Sequence, residues 1–99
     1  MIVAFSIAPS TADETGSVSE AVAAAVRVVR ASGLPNRTSS MFTEIEGEWD
    51  EVMAVVKQAV DVVSAVSPRT SLVLKADIRP GFTGELDGKV ERVERLLAE

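Results

Sequence analysis

The order in which the apolar periodicity switches is the strongest constraint this chain places on its fold. Residues 2–8, Ile-Val-Ala-Phe-Ser-Ile-Ala, make a short apolar run closed by Pro9, and its length and β-branching favour a strand over a helix. Val3, Phe5 and Ile7 share one face; Ile2, Ala4, Ser6 and Ala8 share the other. Both faces are nearly apolar, so this strand belongs at the centre of a sheet. A polar loop over 10–16 leads to Ser17-Val-Ser-Glu20, which has the spacing of a capping box with Ser17 as N-cap. Val18, Val22, Ala25, Val26 and Val29 follow at helical spacing and Gly33 is a stop signal, which predicts a helix over 17–32.

Residues 34–40 read as a weak edge strand, because Asn36, Arg37, Thr38 and Ser39 are polar. A shorter strand is expected over 43–47 with Ile45 inward, although no Asn-Gly or Asp-Gly marks a hairpin between the two. The next helix is expected to begin near 48–50, where Glu48, Asp50 and Glu51 suit a helix N-terminus, and to end at Pro68. Its stripe is Val52, Val56, Ala59, Val63 and Val66. Residues 71–78 alternate, with Leu72, Leu74, Ala76 and Ile78 on one face and Val73, Lys75, Asp77 and Arg79 on the other. Asp87 is expected to cap a last helix whose apolar side is Leu86, Val90, Val93 and Leu97. The order β-α-β-β-α-β-α predicts one α+β domain over 1–99. It is a ferredoxin-like βαββαβ sandwich with a four-stranded antiparallel sheet and an extra C-terminal helix. Helices cover one face of the sheet, and the other must be polar or covered by a second subunit.

Composition narrows the chemistry. In 99 residues only 4% are aromatic, and the apolar content is mostly Val and Ala, so the core is thin and self-association would help it. A net charge of −5 argues against nucleic acid, whose phosphates need clustered Lys and Arg. The absence of Cys, His and Tyr removes thiolate catalysis, the commonest general base and the commonest transition-metal ligands. No segment reads as a membrane span or a signal peptide, so the expected location is the cytoplasm.

The densest chemistry lies in Met41-Phe-Thr-Glu-Ile-Glu-Gly-Glu-Trp49. An acidic lead-in to a helix, with Gly47 at the turn and Trp49 as a packing anchor, explains Glu48. It leaves Glu46, at a strand end, unexplained. A carboxylate beside a hydroxyl and an aromatic suits a small cationic or aminated ring. Thr43 and Glu46 are three residues apart and point to opposite faces of a regular strand, so both reach one ligand only across a bulge or between subunits. Lys75, Asp77 and Arg79 form a second polar row, which reads either as a solvated face or as a ligand or subunit surface. RNA-binding domains of this architecture need strand aromatics and a basic surface, and both are missing. Acylphosphatase-like enzymes need an Arg in an N-terminal phosphate cradle, and residues 9–16 contain none.

The chain resembles the small thiamine-binding proteins, the YkoF-like family, nearly end to end. The resemblance rests on Val3-Ala-Phe-Ser-Ile-Ala-Pro9, Ser17-Val-Ser-Glu20, Val28-Val-Arg-Ala-Ser-Gly-Leu-Pro35, the stretch from Met41 to Met53, and Lys75-Ala-Asp-Ile-Arg79. Two positions depart from the family pattern: Phe42 stands where a small residue is common, and Ser40 where Pro is. A larger ring there narrows a pocket or changes its ligand. The resemblance implies binding of thiamine or its hydroxymethylpyrimidine part, a homotetramer built as a dimer of dimers through the sheets, and no known catalysis. It implies Thr43 and Glu46 as ligand contacts, with Ser6 and Asp77 as neighbours. The expectation is a non-enzymatic cytoplasmic binding protein with no catalytic residues, metal site, cofactor, nucleic-acid partner or membrane partner. An ACT-like module binding another small metabolite at a subunit interface is the alternative.

Overall fold

The structure is a computed structural model that describes residues 1–10 and 18–98. Its elements are β1 (Ile2–Pro9), α1 (Ser19–Ala31), β2 (Asn36–Thr38), β3 (Thr43–Glu46), α2 (Trp49–Ser64), β4 (Thr70–Asp77) and α3 (Glu85–Leu97). The strands form one sheet in the order β2-β3-β1-β4, with every neighbouring pair antiparallel. This is the ferredoxin-like arrangement that the element order predicts, with β1 near the centre as its two apolar faces require. Val3, Phe5 and Ile7 are buried under α1 and α2, together with Ala25, Val29, Ile45 and the Val52/Val56/Ala59/Val63 stripe.

Several boundaries differ from the sequence reading, each for a local reason. The described part of α1 has Val18 as its N-cap, with no side-chain cap hydrogen bond; Ser17 lies outside the described residues. At its other end the Ser32 hydroxyl donates to the Val29 carbonyl at 2.6 Å, and Gly33 takes a φ of +78°, a left-handed turn that glycine adopts without steric cost. The β2–β3 connection is held by Ser39 in place of a glycine turn. Its backbone N–H donates to the Phe42 carbonyl at 2.9 Å, and its hydroxyl accepts from the Phe42 N–H at 3.3 Å.

The helix α2 ends at Ser64, before Pro68, so Val66 leaves the stripe and is exposed. At its start the Glu51 carboxylate accepts from the Glu48 N–H at 3.2 Å. Trp49, expected as a packing anchor, is 55% exposed as the first residue of the helix. Asp87 does not cap α3. Gly84, at a φ of +67°, is the N-cap, and Asp87 sits in the first turn as the ion-pair partner of Arg37. Of the α3 stripe only Leu86 is buried; Val90, Val93 and Leu97 remain exposed.

Ile45 faces the core, so Glu46 lies on the opposite face, in a row with Ile2 and Asp77. The first turns of α3 meet that row. The sheet face opposite α1 and α2 is therefore partly covered at this end, while Val73 at the far side is exposed.

Candidate functional site

The residues singled out from the sequence separate into two groups at opposite ends of β3. Thr43 pairs with Phe5 and Glu46 pairs with Ile2 in an unbroken antiparallel register, so no bulge brings their side chains together.

Thr43 and Ser6 line one cavity, of about 260 Å³. It exists because β3 is short. Strand β1 pairs with β4 along its whole length, from Ile2 to Pro9, but with β3 only as far as Phe5. Among the described residues, the β3-side edge of β1 over residues 6–8 therefore has no strand partner. The turn carrying Ser39, Ser40, Met41 and Phe42 overhangs this edge, and Val18, Val22, Ala25 and Val26 of the α1 region close the other wall. Thr43 is 8% exposed and shares the core-side face with its register partner Phe5, while the half-buried Ser6 lies on the opposite face of β1. Apolar walls, the Thr43 hydroxyl and an unpaired run of backbone suit a flat ring with a hydrogen-bonding edge.

Glu46 and Asp77 line a second, smaller cavity of about 190 Å³, together with Met1, Ile2, Arg79, Phe82, Glu85, Lys89 and Arg92. Its polar groups are engaged with one another. Glu46 is 6% exposed, and its two oxygens accept from the backbone N–H groups of Glu85 at 2.9 Å and Leu86 at 3.1 Å. A carboxylate on the first N–H groups of a helix satisfies donors that have no partner within the helix and meets the positive end of its dipole. Asp77 pairs with Lys89 at 2.6 Å and Glu85 with Arg92 at 2.5 Å. The Lys89 hydrogen bond, followed by its charge, holds the Asp77 carboxyl below the usual carboxylate range, with Arg79 and Lys75 adding to the effect. The Arg92 hydrogen bond does the same for Glu85. Arg79 stacks on the Phe82 ring, 3.5 Å from its centroid. The polar row Lys75, Asp77, Arg79 is thus linked to α3 through Asp77.

A family model described as thiamine-binding protein matches residues 3–94. The chain belongs to the thiamine-binding protein family. It is 54% identical over 98 residues to the UPF0045 protein Mb1933 of Mycobacterium bovis, covering 98% of this chain and 94% of that one. The fold matches the hypothetical protein MJ1052 of Methanocaldococcus jannascii with a TM-score of 0.84 at 28% identity, covering 94% of each chain. It also matches a domain of unknown function, DUF77, from Bacillus cereus with a TM-score of 0.79 at 29% identity, over 92% of this chain and 86% of that one.

The stretch from Met41 to Met53 carries much of the family resemblance, and it spans both ends of β3. Its first half forms the wall of the neutral cavity, and Glu46 fastens α3. Of the overhanging turn, Ser40 and Phe42 were marked at a pocket only through the family resemblance, and the α1 wall was not legible as site residues, because a valine stripe at helical spacing reads as core.

Proposed function

We propose that this protein binds thiamine or its hydroxymethylpyrimidine moiety without transforming it, as a cytoplasmic homo-oligomer. The observation that carries the reading is the unpaired edge of β1 inside a cavity lined by Thr43 and by apolar side chains of α1. An aminopyrimidine presents ring nitrogens and an exocyclic amine in one plane. That edge complements a strand edge, where N–H and C=O groups alternate, and its faces suit the Val22, Val26 and Phe42 walls. In this proposal Thr43 and Ser6 contact the ligand, while Glu46 and Asp77 serve α3 in the single chain. A neighbouring subunit's ligand is the remaining route by which Glu46 meets one. With no His, Cys or Tyr in the chain, a bound ring has few groups to exchange protons with.

Calorimetry with thiamine tests the reading. Wild-type protein is expected to bind thiamine and to give no heat with free amino acids, the ligands of an ACT-like module. Thr43→Val keeps the shape and removes one hydrogen bond. It is expected to weaken binding by about 1 kcal/mol, roughly fivefold. No heat from wild type sinks the ligand; equal affinity for Thr43→Val sinks the contact.

The assembly proposed is a homotetramer, a dimer of dimers through the sheet faces. Val73 on the uncovered part of the sheet, and Val90, Val93 and Leu97 on α3, are apolar and exposed in one chain. Light scattering at micromolar concentration is expected to report four copies, and a monomer there rules the assembly out.

A further inference from the structure

The cavity of about 190 Å³ where the β4–α3 loop, residues 78–84, meets the start of α3 has more donors than its own side chains use. Three cations line it, Arg79, Lys89 and Arg92, with three carboxylates, Glu46, Asp77 and Glu85. The carboxylates are committed. Glu46 accepts from two backbone N–H groups of α3, Asp77 from Lys89, and Glu85 from Arg92. Among the described residues Arg79 has no carboxylate partner; its guanidinium lies 3.5 Å from the centroid of the Phe82 ring. Stacking uses the face of a guanidinium and leaves its N–H edge free to donate. Lys89 gives one N–H to Asp77 and Arg92 gives two to Glu85, so most of their donors remain as well. The hydrogen bonds from Lys89 and Arg92 hold the Asp77 and Glu85 carboxyls below their usual range, and the Arg79 charge adds to both, so the guanidinium lies near the two pairs.

We propose that this cavity binds a phosphate group, as the free ion or as the head of a phosphate monoester, with Arg79 as its principal contact. A tetrahedral oxyanion takes several donors at once, and a guanidinium edge together with the remaining donors of Lys89 and Arg92 supplies them. Phe82 holds the Arg79 guanidinium in place, so less side-chain freedom is lost when the anion arrives. The volume lies below the about 300–1,000 Å³ of a site for a drug-sized molecule, so the cavity takes a compact anion and leaves the organic part of an ester in water. The Lys89 and Arg92 side chains are 53% and 47% exposed, so the bound anion keeps part of its hydration. The chain's net charge of −5 gives no general attraction for anions, so binding depends on the donors gathered at this one place. The site lies at the other end of β3 from the Thr43 cavity and does not depend on the ligand proposed there.

Titration of the full chain with inorganic phosphate, followed by amide chemical shifts at an ionic strength held constant with chloride, tests the site. Saturable shifts are expected in the β4–α3 loop and the first turns of α3. Arg79 is exposed, so Arg79→Gln leaves the fold intact, which far-UV circular dichroism checks. It is expected to weaken phosphate binding by at least about fivefold. Arg79→Lys keeps the charge and loses the fork, so its affinity is expected to fall between those of Arg79→Gln and wild type. Arg27→Gln removes an exposed cation on α1, away from the cavity, and is expected to leave binding unchanged. No saturable shift with phosphate, an unchanged affinity in Arg79→Gln, or an equal loss in Arg27→Gln overturns the proposal. Ethyl phosphate separates the two sources. An affinity equal to or above that of inorganic phosphate assigns the site to the head of an ester, and a weaker one assigns it to the free ion; the phosphate site stands in both.

Discussion

Ile45→Ala is expected to cost about 2–5 kcal/mol of folding stability, the range for truncating a fully buried aliphatic side chain. Ile45 is completely buried on β3, in register with Val3 on one side and Asn36 on the other. It packs into a cluster made mostly of Val and Ala, with few long side chains to swing into the space left behind. A domain of this size has a total stability of about 5–15 kcal/mol, so a large share of it rests on one residue. Urea denaturation followed by circular dichroism measures the loss through the midpoint at unchanged slope. Ile45→Val removes a single methylene and is expected to cost about 0.5–1.5 kcal/mol. A loss below about 1 kcal/mol for Ile45→Ala would mean that the helices close onto the cavity and that the core is softer than its burial suggests. The same truncation tests the site, because β3 carries Thr43 at one end and Glu46 at the other. Thiamine binding and α3 docking should both weaken in Ile45→Ala.

The sheet and its order were legible in the sequence because Ile2, Val3, Ala4, Phe5 and Ile7 leave a strand no face to give to water. Once that strand is central, two crossover helices and a right-handed hand leave little choice of topology. Helix ends were less legible where a side chain replaced the expected signal. Pro68 is a strong breaker, but α2 had already stopped at Ser64, and a breaker sets only the last place a helix can reach. Asp87 matches the preference for acids at a helix start, yet Gly84 holds the N-cap and a carboxylate from β3 supplies the acceptor. Sequence spacing does not register a cap that comes from 39 residues away. The hydroxyls of Thr43 and Ser6 were legible as polar groups on strands. Their cavity was not, because it arises from the mismatch between an eight-residue β1 and a four-residue β3.

Glu46→Ala is expected to free the start of α3 from the sheet, at a cost of about 2 kcal/mol. The alanine leaves the Glu85 and Leu86 N–H groups without their acceptor, and the Leu86 amide is buried with its side chain. Little else can hold the helix. The remaining ties are the exposed Lys89–Asp77 and Arg37–Asp87 pairs, each of small value in water, and the one buried leucine. Hydrogen exchange reads the effect directly: amides of α3 should lose protection in Glu46→Ala while those of β1 and α2 keep theirs. Glu46→Gln retains one acceptor oxygen and drops the charge, so it is expected to lose about half as much. Acid should act in the same direction. The Asp77 carboxyl is held below the usual range by Lys89, so its contribution is complete above the ordinary carboxylate pKa and is lost as the pH falls below about 4. Release of α3 on acidification at unchanged far-UV signal from the sheet would match this account. Thiamine calorimetry on the same variants separates the two roles open to Glu46. If it fastens α3 within the chain, Glu46→Gln leaves thiamine affinity within about twofold of wild type while α3 loosens. If it meets a ligand across a subunit boundary, the affinity falls by about tenfold with α3 still protected, and the assignment of Glu46 to the helix alone is wrong.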